Sequence, residues 1–165
     1  MAVTFSATSV EGKLGAQLLS DASGEFVVTW AKQRGPDEIV LDTRWHVLHY
    51  LLSGDADEHP GAGPTGAVIF STHRLAVAGE TSESPFWLLT PDEVAKAADA
   101  LANPDWAAIT ARYEDIATGA VTGLYWQDIY GDRGSWPQMQ EGVETLTALH
   151  QRAAAEGRAV VNILA

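Results

Sequence analysis

The sequence predicts an α+β fold: one domain over residues 1–165, with a small, mostly antiparallel sheet that includes both terminal strands and is covered by about four to five helices. Three observations predict it. Val3-Thr4-Phe5-Ser6-Ala7-Thr8 alternates between faces, and Ala159-Val160-Val161-Asn162-Ile163-Leu164 is dense in β-branched residues, so both ends read as strands. The helical periods are grouped between those ends instead of alternating with strands, which argues against βαβ units. The length, 165 residues, suits a single core burying roughly 70% of the unfolded surface. Pairing the terminal strands would tie down both chain ends.

Each element follows from local chemistry. A short helix is expected around Gly12 to Leu19, whereas Glu25 to Lys32 stays open between helix and strand because Val27-Val28 favours a strand. Leu41 to Gly54, LDTRWHVLHYLLSG, is apolar on nearly every side and reads as a central helix. Asp42 is its expected N-cap, and Gly54 lies just past its end. Asp55 to Gly66 is a polar loop rich in Gly and Pro, followed by short strands expected at Ala67–Phe70, His73–Ala78 and Phe86–Leu89. Thr90-Pro91-Asp92-Glu93 is a capping box with Pro at the first helical position, and Val94, Ala97, Ala98 and Leu101 form the stripe behind it. Asn103-Pro104-Asp105 starts another helix, with Trp106, Ile109, Tyr113 and Ile116 on one side. Thr118 to Gly134 is irregular. From about Ser135 the longest helix carries Met139, Val143, Leu146, Leu149 or His150, and Ala153, and Gly157 ends it.

Composition narrows the function classes. The net charge is −12, with 10 Lys+Arg against 22 Asp+Glu, so the basic patches that phosphate backbones require are missing and nucleic acid is not an expected partner. There is no cysteine, which excludes disulfides, thiolate metal sites and cysteine nucleophiles. MAVTFSATSV has no basic n-region, and no run approaches the roughly 18 apolar residues of a membrane span, so a cytoplasmic protein is expected. Arginine outnumbers lysine seven to three beside abundant alanine, a bias that suggests a bacterial source. Asp37, Glu38, Asp42, Asp55, Asp57 and Glu58 flank the central helix with Arg44 as the one base among them. Such clustering either solubilises the surface or steers a basic protein partner toward it.

The central helix leaves a narrow polar seam: Asp42, His46, His49 and Ser53. Spacings of four and three could converge two imidazoles and a carboxylate on a metal, but the cap role of Asp42 and the absence of HExxH speak against it, and no metal is expected. One reading makes His49 a hydrogen-bonded core histidine beside Trp45, because an unpartnered buried polar group costs roughly 1–3 kcal/mol. The other lines a ligand pocket with Trp45, His46 and His49.

Gly61-Ala62-Gly63-Pro64-Thr65-Gly66 matches G-x-G-x-x-G, yet it follows a helix and Pro64 removes an N–H donor, so no nucleotide cofactor is expected. Asp55-Ala56-Asp57 opens like a calcium loop but continues with His59 and Pro60 where an oxygen ligand and a turn glycine belong. There is no G-x-S-x-G elbow. Leu124-Tyr125-Trp126-Gln127-Asp128-Ile129-Tyr130 has two readings. It is a loop pinned by Trp126 and Tyr130 inserting into the core, or a recognition surface in which Trp126, Asp128 and Tyr130 meet the ligand.

The motif order resembles the YfbM-like family of small bacterial proteins of unknown function. The matching residues are Leu41-Asp42, Trp45, Leu48-His49-Tyr50 and Leu52-Ser53-Gly54, close to that family's L-D-x-x-x-W-x-x-L-H-F-x-L-T-G. Pro64 to Phe70, Leu89 to Val94, Ile129-Tyr130 and Gly157 to Val161 continue the pattern. The resemblance implies a compact α+β domain and supplies no catalytic residues. Two functional expectations result. The first is a non-catalytic, acidic protein-binding domain, antidote-like, with a basic protein partner. The rival is a small enzyme or ligand binder with a pocket of Trp45, His46, His49, Trp126, Asp128 and Tyr130.

Overall fold

A computed structural model of the chain describes residues 2–33, 37–79 and 85–165. Five strands form one wholly antiparallel sheet: β1 (Phe5–Val10), β2 (Ile39–Asp42), β3 (His73–Arg74), β4 (Phe86–Leu89) and β5 (Ala159–Leu164), in the order β2-β1-β5-β4-β3. The two terminal strands are neighbours, with Phe5 opposite Leu164 and Val10 opposite Ala159. Thr4 and Ala165 extend the ladder by exchanging backbone hydrogen bonds at 2.7 and 3.0 Å. β5 is the central strand, and all six of its residues are buried.

Alternation along the strands builds two cores. Val10, Phe86, Leu88, Ala159, Val161 and Ile163 face one way, against Leu18 of α1 (Gly12–Ser20) and Val27 of α2 (Glu25–Ala31). Phe5, Ala7, Leu89, Val160 and Leu164 face the larger core. That core is completed by α3 (Trp45–Ser53), α5 (Pro91–Ala102), α6 (Trp106–Ala117) and α8 (Trp136–Ala155). Two single-turn helices, α4 (Gly63–Gly66) and α7 (Gln127–Tyr130), and a 3-10 turn at Arg133–Ser135 complete the described elements. Among the described residues, five helices run nine residues or more, and none is long and apolar enough to cross a membrane.

The strongest local signals form as expected. Thr90 accepts from the Glu93 N–H while Glu93 accepts from the Thr90 N–H, the full capping box of α5. Gly54 ends α3 in the left-handed region at φ 75°, its N–H on the Tyr50 carbonyl. Three expectations are corrected and one open reading is resolved. Asp42 is not the N-cap of the central helix: it closes edge strand β2 at φ 48°, and α3 starts at Trp45 after a turn in which the Arg44 N–H meets the Leu41 carbonyl. Glu25–Ala31 resolves as helix, because Asp21 caps its first turn by accepting from the Phe26 N–H. Ala67–Phe70 is a turn instead of a strand, buried under β5 where the Asn162 side-chain amide donates to the Val68 and Ile69 carbonyls at 2.7 and 2.9 Å. Those bonds use a side chain to satisfy backbone that a ladder would otherwise serve. Of His73–Ala78 only His73 and Arg74 form strand, opposite Leu88 and Trp87, and the Leu75 N–H adds one bond to the Phe86 carbonyl at 2.9 Å.

Candidate functional site

α3 is the spine of the site. Its residues 45 to 52 are all buried, so its polar groups must find partners inside the protein. Trp45 donates its indole N–H to the Val3 carbonyl at 3.0 Å. His46 uses both ring nitrogens: Nδ1 accepts from the Tyr125 N–H at 2.9 Å, and Nε2 lies 2.8 Å from the Ala56 carbonyl. An amide can only donate and a carbonyl can only accept, so these partners assign the proton to Nε2. One imidazole thereby ties α3 to the acidic loop after it and to the aromatic loop before α8.

His49 lies deeper, 1% exposed, with its ring edge-on to Phe70 at 4.7 Å and Nε2 3.5 Å from the Ser53 hydroxyl. Burial, aided by neighbouring His46, pushes its pKa down to about 4 against the opposing pull of Asp55. It is a neutral core histidine. Phe70 also meets Trp87 and Trp45 edge to face, at 5.2 and 5.7 Å. Trp45 in turn stacks on His46 and on Tyr125, with ring centroids 5.0 and 5.9 Å apart. A continuous run of rings leads from the sheet to the surface, each pair worth about 0.5–1.5 kcal/mol beyond its burial.

The aromatic loop is where that run emerges. Inward anchors fix it. Leu124 is buried, and the Gln127 side chain donates to the Val121 carbonyl at 2.7 Å and accepts from the Leu124 N–H at 3.2 Å. Tyr113 directs its hydroxyl at the carbonyls of Tyr130 and Asp132, and the Tyr130 hydroxyl meets that of Thr43 at 3.2 Å. Ser135 donates to the Ile129 carbonyl at 2.9 Å. Gly131 is required for space: a Cβ there would stand 2.6 Å from Ile116 and 2.7 Å from the Gln127 carbonyl oxygen.

With Leu124, Gln127 and Tyr130 held inward, the residues between them point out. Tyr125, Trp126 and Ile129 are 42%, 37% and 50% exposed. Trp126 has φ 58°, a left-handed conformation that is unfavourable by roughly 1–2 kcal/mol for an L-residue and uncommon for a bulky one. Gly123, Leu124, Tyr125, Trp126, Asp128 and Ile129 line an open cavity of about 540 Å³.

The six residues singled out in the sequence thus lie at two levels. Trp45, His46 and His49 are buried, Tyr130 is half-buried against Thr43, and Trp126 and Asp128 are at the surface. Trp45 and His46 contact the aromatic loop through Tyr125, which with Ile129 the sequence reading did not include among them. Spacing carries no signal for Tyr125, since the anchors decide which ring faces water.

Two motif-bearing segments follow α3. Gly61 to Gly66 closes on itself, the Gly61 N–H donating to the Gly66 carbonyl at 3.0 Å and Thr65 donating to Leu52 at 3.1 Å. Its backbone amides are arranged as a packed turn. Asp55, Asp57 and His59 gather their side chains, with His59 Nε2 3.5 and 3.6 Å from the two carboxylates. The Pro60 carbonyl, and then the two aspartates, hold the exposed His59 imidazole above its usual pKa.

The comparisons with known proteins agree with this architecture. No curated protein matches the chain. The crystal structure of YfbM, a protein of unknown function from Escherichia coli, superposes with a TM-score of 0.68 at 15% identity, over 98% of this chain and 99% of that one, and so shares the fold. The model of the family described as a domain of unknown function, DUF1877, matches residues 1–163. The chain therefore belongs to the DUF1877 family, the YfbM-like fold that its central-helix motif resembles.

Proposed function

We propose that this protein is a non-catalytic binding domain of the cytoplasm, and that its binding surface is the aromatic loop with the acidic loop beside it. The partner is a basic protein, and the role is that of an antidote-like cover for a basic surface. One observation carries the reading: Tyr125, Trp126 and Ile129 are held outward beside Asp128 by an otherwise fully anchored loop. Large rigid side chains on a rigid support bind at low entropic cost, and Tyr and Trp dominate interface hot spots.

His46 holds the acidic loop beside this surface, because the carbonyl it binds belongs to Ala56, between Asp55 and Asp57. Clustered carboxylates at a net charge of −12 favour fast encounter with a cationic surface. Trp45, His46, His49 and Tyr130 serve as the support of this surface. The committed ring nitrogens of His46 and the buried, neutral His49 favour that role over general-base work.

The test uses the whole chain as bait for a lysate of its source cells at low salt, beside a Trp126→Gly/Asp128→Asn variant. Basic proteins retained by the wild type, lost from the variant and released by salt are expected. Identical capture by both baits, or complexes indifferent to salt, would refute the reading.

A further inference from the structure

Tyr125 and Trp126 form an open two-walled corner. Their ring centroids are 6.4 Å apart with the planes inclined at 70°, and Asp128 lines the same cavity with Leu124 and Ile129. Stacking on buried Trp45 fixes the Tyr125 ring. Trp126 is fixed through its backbone: the Tyr130 N–H and the Ile129 N–H both reach the Trp126 carbonyl at 3.0 Å, and the Gln127 side chain ties the chain just before it, at Val121 and Leu124. A bulky residue kept at φ 58° by so many neighbours is a preorganised one.

We infer that this corner seats an arginine side chain of the partner, its guanidinium against the aromatic faces and forked toward the Asp128 carboxylate. The inference rests on the binding reading above and names the chemistry of its anchor. Aromatic faces carry negative potential and attract cations, and guanidinium does so more often than ammonium because it is planar and weakly hydrated. A carboxylate in the wall disfavours a purely apolar occupant and an anion alike. Ile129, half exposed, offers apolar surface for the three-carbon stem of the incoming residue. The corner has two walls, so a free small cation would keep most of its water. A side chain delivered by a protein brings further contacts along.

A short peptide with one central arginine between glycines and serines tests this, beside the same peptide carrying citrulline, which keeps the shape and loses the charge. Binding is followed by the indole N–H signals of the full chain in a titration. The arginine peptide is expected to bind weakly and the citrulline peptide about tenfold more weakly, with Trp126→Gly about tenfold weaker and Asp128→Asn several-fold weaker toward arginine. Trp126→Gly suits the purpose because glycine accepts the left-handed backbone, and a matching thermal transition confirms that the fold persists. Equal binding of the two peptides, no binding of either, or variants that bind as the wild type does would each overturn the arginine assignment. If salt-sensitive capture of a basic protein still depends on Trp126 and Asp128 while the arginine peptide fails, the binding surface stands and its anchor is another group.

Discussion

The Tyr125 amide donates to the His46 ring across 79 residues of chain, and the opposite nitrogen of that ring holds the carbonyl of Ala56. A histidine inside the central helix is thus the joint between two surface loops. His46→Ala is expected to cost about 2–3 kcal/mol, from two lost hydrogen bonds and the stack on Trp45. Urea denaturation measures it, and a loss under about 1 kcal/mol would show that water replaces both bonds. Loosening of the aromatic loop should be visible as faster exchange of the Tyr125 amide.

His49 makes stability depend on acid. Its folded pKa of about 4 lies below the ordinary 6.5, so the unfolded chain takes up the proton first. The stability of the neutral form is fully present above pH 6.5 and is lost as the pH falls from there through about 4. The full effect is at most roughly 3 kcal/mol. His150, buried with Nδ1 on the Leu146 carbonyl, is shifted in the same direction by burial and adds to the slope. Urea midpoints at pH 7.5, 5.5 and 4.5 should fall in that order, and His49→Gln should flatten the fall. An unchanged slope in His49→Gln would remove this histidine from the account.

Trp126 is expected to be nearly dispensable for stability. Trp126→Gly forfeits an edge-to-face contact with Tyr125 but releases the left-handed strain, two effects of about 1 kcal/mol each. Thermal unfolding should shift by no more than a few degrees. A loss above about 2 kcal/mol would mean that the indole is a core anchor and not a presented one.

Gly131→Ala should have the opposite profile. The new methyl would collide with Ile116 and with the Gln127 carbonyl, so α7 must move off α6 at a cost of about 1–3 kcal/mol. Because the carbonyl is backbone, no rotamer change relieves the clash. Chemical denaturation reads the cost, and Tyr125 and Trp126 should become more mobile.

Much of the fold was legible because its signals are local. Thr90 and Glu93 sit three apart and answer each other, and the β-branched residues at 160, 161 and 163 suit a central strand without regard to partners. β2 was not legible: a four-residue edge strand that stops at a positive φ on Asp42 looks, in one dimension, like a helix with an acidic cap. Ala67–Phe70 misled for a related reason. Its carbonyls are satisfied by Asn162, some ninety residues away, and no local pattern reports such a bond. At the candidate site, residue types identified the segment while contacts decided its faces. Trp126 and Tyr130 look equally suited to burial, and the anchoring by Gln127, Tyr113 and Thr43 turns one out and holds the other.

The place of β5 between β1 and β4 has a consequence for biosynthesis. The first strand leaves the ribosome early, but the neighbour that covers most of its edge is made about 150 residues later. Until residue 164 has cleared the exit tunnel, β1 and β4 each lack the ladder that joins them, and the apolar faces of both cores stay unsealed. Such long-range closure makes folding slow and the nascent chain sticky. Ribosome-stalled chains ending before Ala159 should therefore be held by chaperones and cut readily by protease, whereas stalled chains in which residue 164 has cleared the tunnel become resistant.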